Sequence, residues 1–149
     1  MSVPFTNTTP ATQLLVSYPY LNLYLHTGAA PALEARWRGF VSSAVLRQVV
    51  AETLVLARQH RIQGWIADDR LLGPVRPTDL EWIVTEMLPA LIKIGVKRLA
   101  RIQAEDPMNQ LLIGSAQETV QPTLPLEIRV FSDVPAARAW ATGSGRGRA

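Results

Sequence analysis

No cysteine occurs in the chain, which removes disulfides, thiol catalysis, iron–sulfur ligation and cysteine-bound zinc from consideration. No lysine or arginine precedes Arg36, so the opening does not read as a secretory signal, which starts on basic residues. Long apolar runs are missing too. The most apolar stretch, residues 82–96, carries Glu86, Pro89 and Lys93 and lacks the unbroken length of about 20 residues that a membrane span needs. Absent as well are the glycine patterns that cradle phosphates, the nucleophile elbow G-x-S-x-G, the zinc motif H-E-x-x-H and the EF-hand loop. The serines stand in no Ser-His-Asp context. His26 and His60 are far apart without metal-ligand spacing, and both read as surface residues. No catalytic residue, metal or cofactor is expected, and the chain reads as a non-enzyme.

What is present is ordinary globular material. The 149 residues are 48% hydrophobic and 18% charged, enough for one domain that buries roughly 70% of its unfolded surface. The net charge is +3, but Arg146 and Arg148 of the tail carry two of those charges, which makes the basic pI of about 9.8 a weak argument for nucleic acid. Residues 1–13, rich in Thr, Pro and Asn, read as a flexible leader. Residues 14–142 form the domain, and the Gly/Ser/Arg tail 143–149 is expected to be disordered.

Within the domain, periodicity sets the order of elements. A short strand over Leu14–Val16 ends at Tyr18-Pro19. Tyr20 to His26 alternates, with Leu21, Leu23 and Leu25 on one face, and Leu33, Ala35 and Trp37 alternate with Glu34, Arg36 and Arg38. Period two around the turn 27–31 predicts a hairpin. Apolar residues from Ala44 to Gln59 recur at helical spacing behind a Ser42 or Ser43 cap. A central strand, Ile62 to Asp68, and a loop, Asp69 to Arg76, follow. Thr78 and Glu81 fit a capping box for a second helix, which Pro89 should kink and Gly95 should end. Val96–Ile102 is the next strand, and Asp106-Pro107 opens a third helix running to about Glu118. Leu126–Phe131 is the last strand, and Asp133 caps a final helix, Val134–Ala141, docked through Ala137 and Trp140. The expected class is therefore α/β: a mixed sheet, an N-terminal hairpin, then β-α repeats with about four helices packed on the sheet.

Four groups of residues are candidate sites. Asp68, Asp69 and Arg70 close the central strand at its carboxyl end, where open α/β sheets bind ligands. They suit a ligand or partner, or simply a local ion pair, and neighbouring strand residues should point to opposite faces. Trp82, about one turn into the second helix, could floor a pocket near Asp69. Thr78 at a helix start suits either an anion or a plain cap. Tyr20 and Tyr24, with Arg36 and Arg38 across the hairpin, form a candidate interface, a solvated face or a nucleic-acid surface.

The hairpin ending in Trp37-Arg38-Gly39-Phe40, the strand Trp65-Ile66-Ala67-Asp68-Asp69-Arg70 and the segment Asp79-Leu80-Glu81-Trp82-Ile83 carry a resemblance. So do the helix end from Leu88-Pro89 to Gly95-Val96 and the closing Phe131-Ser132-Asp133 to Ala139-Trp140. Over about residues 14–142 the chain resembles the STAS-like bacterial domains, which share the SpoIIAA-like fold of anti-sigma-factor antagonists. The resemblance implies a cytoplasmic regulatory domain acting through protein contact, with a protein partner or a second copy of itself. In those antagonists a serine in the loop after the central strand is phosphorylated. No serine stands in residues 68–79 here, and Thr78 is the hydroxyl left as candidate phosphoacceptor. The same fold class includes lipid-transfer-like domains, so a lipid or other small apolar ligand under a helix is the second expectation. Nucleic-acid binding through the Tyr/Arg face is the third.

Overall fold

Leu21, Leu23 and Leu25 alternate with polar residues, and a backbone of that period is extended. They form β2 (Leu21–His26), paired antiparallel with β3 (Ala32–Gly39) so that Leu21 faces Trp37, Leu23 faces Ala35 and Leu25 faces Leu33. The computed structural model describes residues 11–143. Within them β1 (Thr12–Tyr18) adds antiparallel to the other side of β2. β1 is longer than the expected 14–16 strand and takes Thr12 and Gln13 from the expected leader. Residues 1–10 of that leader and 144–149 of the expected tail lie outside the described residues.

β4 (Gly64–Leu72), β5 (Arg98–Ile102) and β6 (Glu127–Phe131) run parallel to β3, and the sheet order is β1-β2-β3-β4-β5-β6. This is the expected mixed sheet with its hairpin at one side. Each parallel step is made by a helical crossover. α1 (Ser43–Gln59) joins β3 to β4. A bent run of α2 (Pro77–Trp82), a π turn (Ile83–Met87) and α3 (Leu88–Ile94) joins β4 to β5. α4 (Pro107–Val120) joins β5 to β6, and α5 (Val134–Ala141) closes the chain. Three helices start on the side-chain caps expected of them: Ser42 Oγ accepts from Val45 N–H at 3.3 Å, Asp106 from Asn109 N–H at 2.8 Å, and Asp133 from Ala136 N–H at 3.1 Å. Gly95 ends α3 at φ 124°, a conformation that favours glycine.

Two local expectations need correction. β4 continues four residues past Asp68, so Asp69 and Arg70 lie in a strand rather than a loop. It stays paired with β3 as far as Leu72 against Gly39, although β4 has three steps from Asp68 to Leu71 where β3 has two from Arg36 to Arg38. That is a β-bulge. The capping box is not made either. Pro77 takes the first helical position, its fixed φ being preset for a helix. Arg76 is then the cap residue and makes no side-chain cap bond, which leaves Thr78 exposed inside the first turn.

The kink expected at Pro89 is resolved as the π turn just ahead of it. Proline has no N–H, and its ring crowds the carbonyl four residues back. Widening the preceding turn, with Leu88 N–H donating to Ile83 O, accommodates both effects.

The two faces of the sheet are covered unequally. α1, the α2–α3 run and α4 share one face with a large core that includes Leu21, Leu33, Trp65, Leu91 and Leu99. α5 alone packs the other face, setting Ala137 and Ala141 against Ala32, Ile66, Ala100 and Ile102. That small-residue contact is close enough for backbone to touch backbone. A Cβ on Gly64 would sit 2.3 Å from the Ala141 carbonyl oxygen. Gly64→Ala is therefore expected to push α5 off β4 and lower the unfolding free energy by about 1–3 kcal/mol. Urea denaturation reads this, and an unchanged midpoint would mean that α5 is not seated there.

Candidate ligand site

The apolar stripe of the α2–α3 run does not close completely onto the sheet. A cavity of about 140 Å³ lies beneath it. Its floor is sheet: Trp37 from β3, Trp65, Ala67 and Asp69 from β4, Leu99 and Arg101 from β5. Its roof is Leu80, Ile83, Val84, Met87, Leu88 and Leu91, and α4 closes one side with Ile113, Ala116 and Val120. The roof draws on the π turn, where widening alters which side chains share a face. Pro74 and Arg76 also line the cavity and are exposed, so it reaches the surface at the loop before α2. Asn109, fully buried in the first turn of α4, holds that loop. It donates to Leu72 O at 3.2 Å and Gly73 O at 2.9 Å, and accepts from Val75 N–H at 3.1 Å.

Two charged side chains stand in this apolar floor. Asp69 and Arg101 point to the same face because β4 and β5 pair in parallel with Ala67 opposite Arg101, and Asp69 is two residues beyond Ala67. They attract each other, yet they form no contact ion pair, and no hydrogen bond to the Asp69 carboxylate is found among the described residues. Burial pushes the Asp69 carboxyl up to about 6, against the pull of Arg101 and with a further push from Asp68. Burial lowers the Arg101 guanidinium from its ordinary value, opposed by Asp69. Arg101 is 7% exposed. Its Nη1 donates to Gln117 Oε1, and its Nε has no partner. Gln117 is held in turn by donating to Gln121 Oε1 at 3.1 Å, and Gln121 donates to Ile128 O at 3.1 Å.

Asp68 points the other way and has different chemistry. It is 1% exposed. Arg70 grips it in bidentate fashion, Nε to Oδ1 at 2.9 Å and Nη2 to Oδ2 at 2.7 Å, and Arg36 Nε lies 3.4 Å from Oδ2. On the same face Glu34, fully buried, accepts from His26 Nε2 and Arg138 Nε at 2.7 Å each, and from Arg36 Nη2 at 3.0 Å. Burial alone would raise the Glu34 carboxyl. The hydrogen bonds from His26, Arg138 and Arg36 outweigh it and hold the group well below the usual carboxylate range. The adjacent acids are thus separated, as alternation predicts. Asp68 and Arg70 belong to a structural ion-pair network, and Asp69 belongs to the cavity.

The remaining predicted residues fall elsewhere. Trp82 does not reach the Asp69 cavity; its ring packs under Arg47 of α1, 5.0 Å from the guanidinium carbon, while Trp37 and Trp65 supply the indoles of the cavity floor. Tyr20 is in the β1–β2 turn and stacks on Tyr18 with ring centroids 5.4 Å apart, away from Tyr24. Tyr24 lies under Arg36 at 4.8 Å. Arg38 donates to Pro19 O, Tyr18 O and Asn22 Oδ1. His26 is not a surface residue: it is 4% exposed, between Glu34 and the Thr12 hydroxyl. His60 is half-buried at the C-cap of α1. Reading the sequence missed Glu34, Arg101, Gln117 and Asn109. The signal for Arg101 was available, since it shares strand parity with Leu99 on an otherwise apolar face.

Comparison of the chain with protein-family models, curated proteins and solved structures gave no match. Among the described residues no cluster of His, Asp or Glu could hold a metal ion, and no helix is long and apolar enough to cross a membrane.

Glu34 and Asp69 act on stability with opposite sign. The depressed Glu34 stabilises the fold above its unfolded value near 4.5, and that contribution is lost as pH falls below it. The raised Asp69 favours the fold below its unfolded value near 3.8, and that contribution is lost as pH rises through about 6. Asp69→Asn is therefore expected to be more stable than the parent at pH 8, by up to roughly 3 kcal/mol, with no advantage at pH 4. Urea titrations at pH 4, 6 and 8 check this. A variant less stable at pH 8 would mean that the carboxylate has a stabilising partner.

Proposed function

We propose that this domain is a binding module for a small, largely apolar molecule held between the α2–α3 run and the sheet. The cavity carries the reading. Protein interiors rarely leave voids larger than a water molecule, and an apolar cavity of roughly 150 Å³ is enough to take up a benzene-sized guest. Here about 140 Å³ sits under an apolar roof and opens at the surface near Arg76. Left empty in a sealed core, such a volume would cost about 3 kcal/mol. A largely apolar cavity with a few polar groups is the usual form of a small-molecule site.

Regulation through protein contact rests on the STAS-like resemblance, and the cavity shifts the weight to ligand binding. The nucleic-acid reading loses support because Arg36 and Arg38 are already engaged by Glu34, Asp68, Asn22 and backbone carbonyls.

Filling the cavity tests the reading. Ala116→Phe adds volume where space already exists, so it is expected to keep or raise the melting temperature. It should weaken uptake of N-phenyl-1-naphthylamine, a neutral apolar fluorophore, at least tenfold. Native mass spectrometry of the parent should show added mass that denaturation removes. A parent that neither carries such mass nor takes up the fluorophore would overturn the proposal.

A further inference from the structure

We propose that the ligand is a carboxylic acid, its carboxylate seated on Arg101 beside Asp69, its hydrocarbon part under α3, and that it binds together with one proton. This rests on the ligand-binding reading above and names the chemistry of the head group.

The argument starts from the donors of Arg101. Nη1 is committed to Gln117, and the Gln117–Gln121–Ile128 chain fixes the guanidinium plane. The buried Nε has no partner, and no hydrogen bond from Nη2 is found among the described residues. Nε and Nη2 form the edge of a guanidinium that matches a carboxylate in bidentate geometry. A buried donor left unbonded is expensive. Asp69 does not fill the place, although it lines the same cavity. The structure therefore holds, in the lining of an apolar chamber, a buried cation with a donor that no protein group among the described residues satisfies.

Charge balance supplies the proton. The cavity and its rim hold Asp69, Arg101, Asp79 and Arg76. Asp79 is paired with Arg47 Nη1 at 3.2 Å, Arg76 is exposed and lies over Phe40, and Asp68 is on the opposite face with Arg36 and Arg70. Asp69 and Arg101 are left to balance each other. A second carboxylate at Arg101 would put two negative charges beside one cation in apolar surroundings, which is unfavourable. Asp69 resolves this by taking a proton from solvent and keeping it on one oxygen, from which the O–H donates a hydrogen bond to the ligand carboxylate. Its carboxyl is already raised by burial.

Calorimetry on the full chain with octanoate and 1-octanol, at pH 6, 7 and 8, tests the inference. Octanoate is expected to bind at least tenfold more tightly than 1-octanol at pH 7, with its Kd rising about tenfold from pH 7 to 8 as proton uptake requires. Asp69→Asn should remove that pH dependence, and Arg101→Met should lose the preference for octanoate while keeping 1-octanol. Equal affinity for the two probes, or octanoate binding that ignores pH in the parent, overturns the carboxylate inference and leaves the apolar-ligand reading standing. Failure of octanoate, 1-octanol and the neutral fluorophore alike overturns both. Asp69→Asn keeps the test decisive should Arg101→Met fail to fold.

Discussion

β4 lies in the middle of the sheet, hydrogen-bonded to β3 on one side and β5 on the other, and every second side chain along it must point the opposite way. Asp68 and Asp69 are neighbours in the chain, and alternation gives them to different faces. Asp68 meets arginines placed by β3 and by its own strand, and becomes part of an ion-paired polar layer with Glu34. Asp69 meets apolar side chains and one arginine it does not touch. The bulge beyond Asp68 lets the strand continue past both acids. One strand thus anchors the fold on one face and leaves a carboxyl uncommitted on the other.

The roof over Asp69 follows from a proline. Pro89 cannot sit in a regular helix without losing a hydrogen bond, and the π turn ahead of it absorbs the misfit. The helical run has no side-chain cap at its start, where Pro77 displaces Thr78 from the cap position. Asn109 compensates from a neighbouring helix, tying down the loop where the run begins. The floor is fixed by the sheet, the entrance by Asn109 and the roof by the π turn, so the chamber is built from three separately held pieces.

Much of this was legible beforehand. Leucine alternation showed the hairpin, Asp106-Pro107 and Asp133 marked two helix starts, and Pro89 marked the irregular stretch of the second helix. What was hidden has physical reasons. Asp-Asp-Arg reads as the polar end of a strand, yet the pairing of Arg70 with Asp68 makes that polarity compatible with four more residues of sheet. Glu34 and His26 alternate as a solvated face would, and period two alone does not say whether a polar face is covered. Here the cover comes from β1 and from Arg138 of α5. Thr78 was misread because Glu81 three residues on mimics a capping box while Pro77 sets the helix start.

The strands stand in space in the order in which they are synthesised. Each new strand needs to find only the one made just before it, so loop closures stay short and their entropy modest. Such a sheet can grow outward from its first hairpin while the chain is still being extended. Helix α5 escapes this rule: Arg138 reaches back across 104 residues to Glu34, and Thr142 O accepts from Ala30 N–H beside β3. The third strand therefore carries a carboxylate that Arg36 and His26 partner locally and that gains a further cation only when α5 is in place.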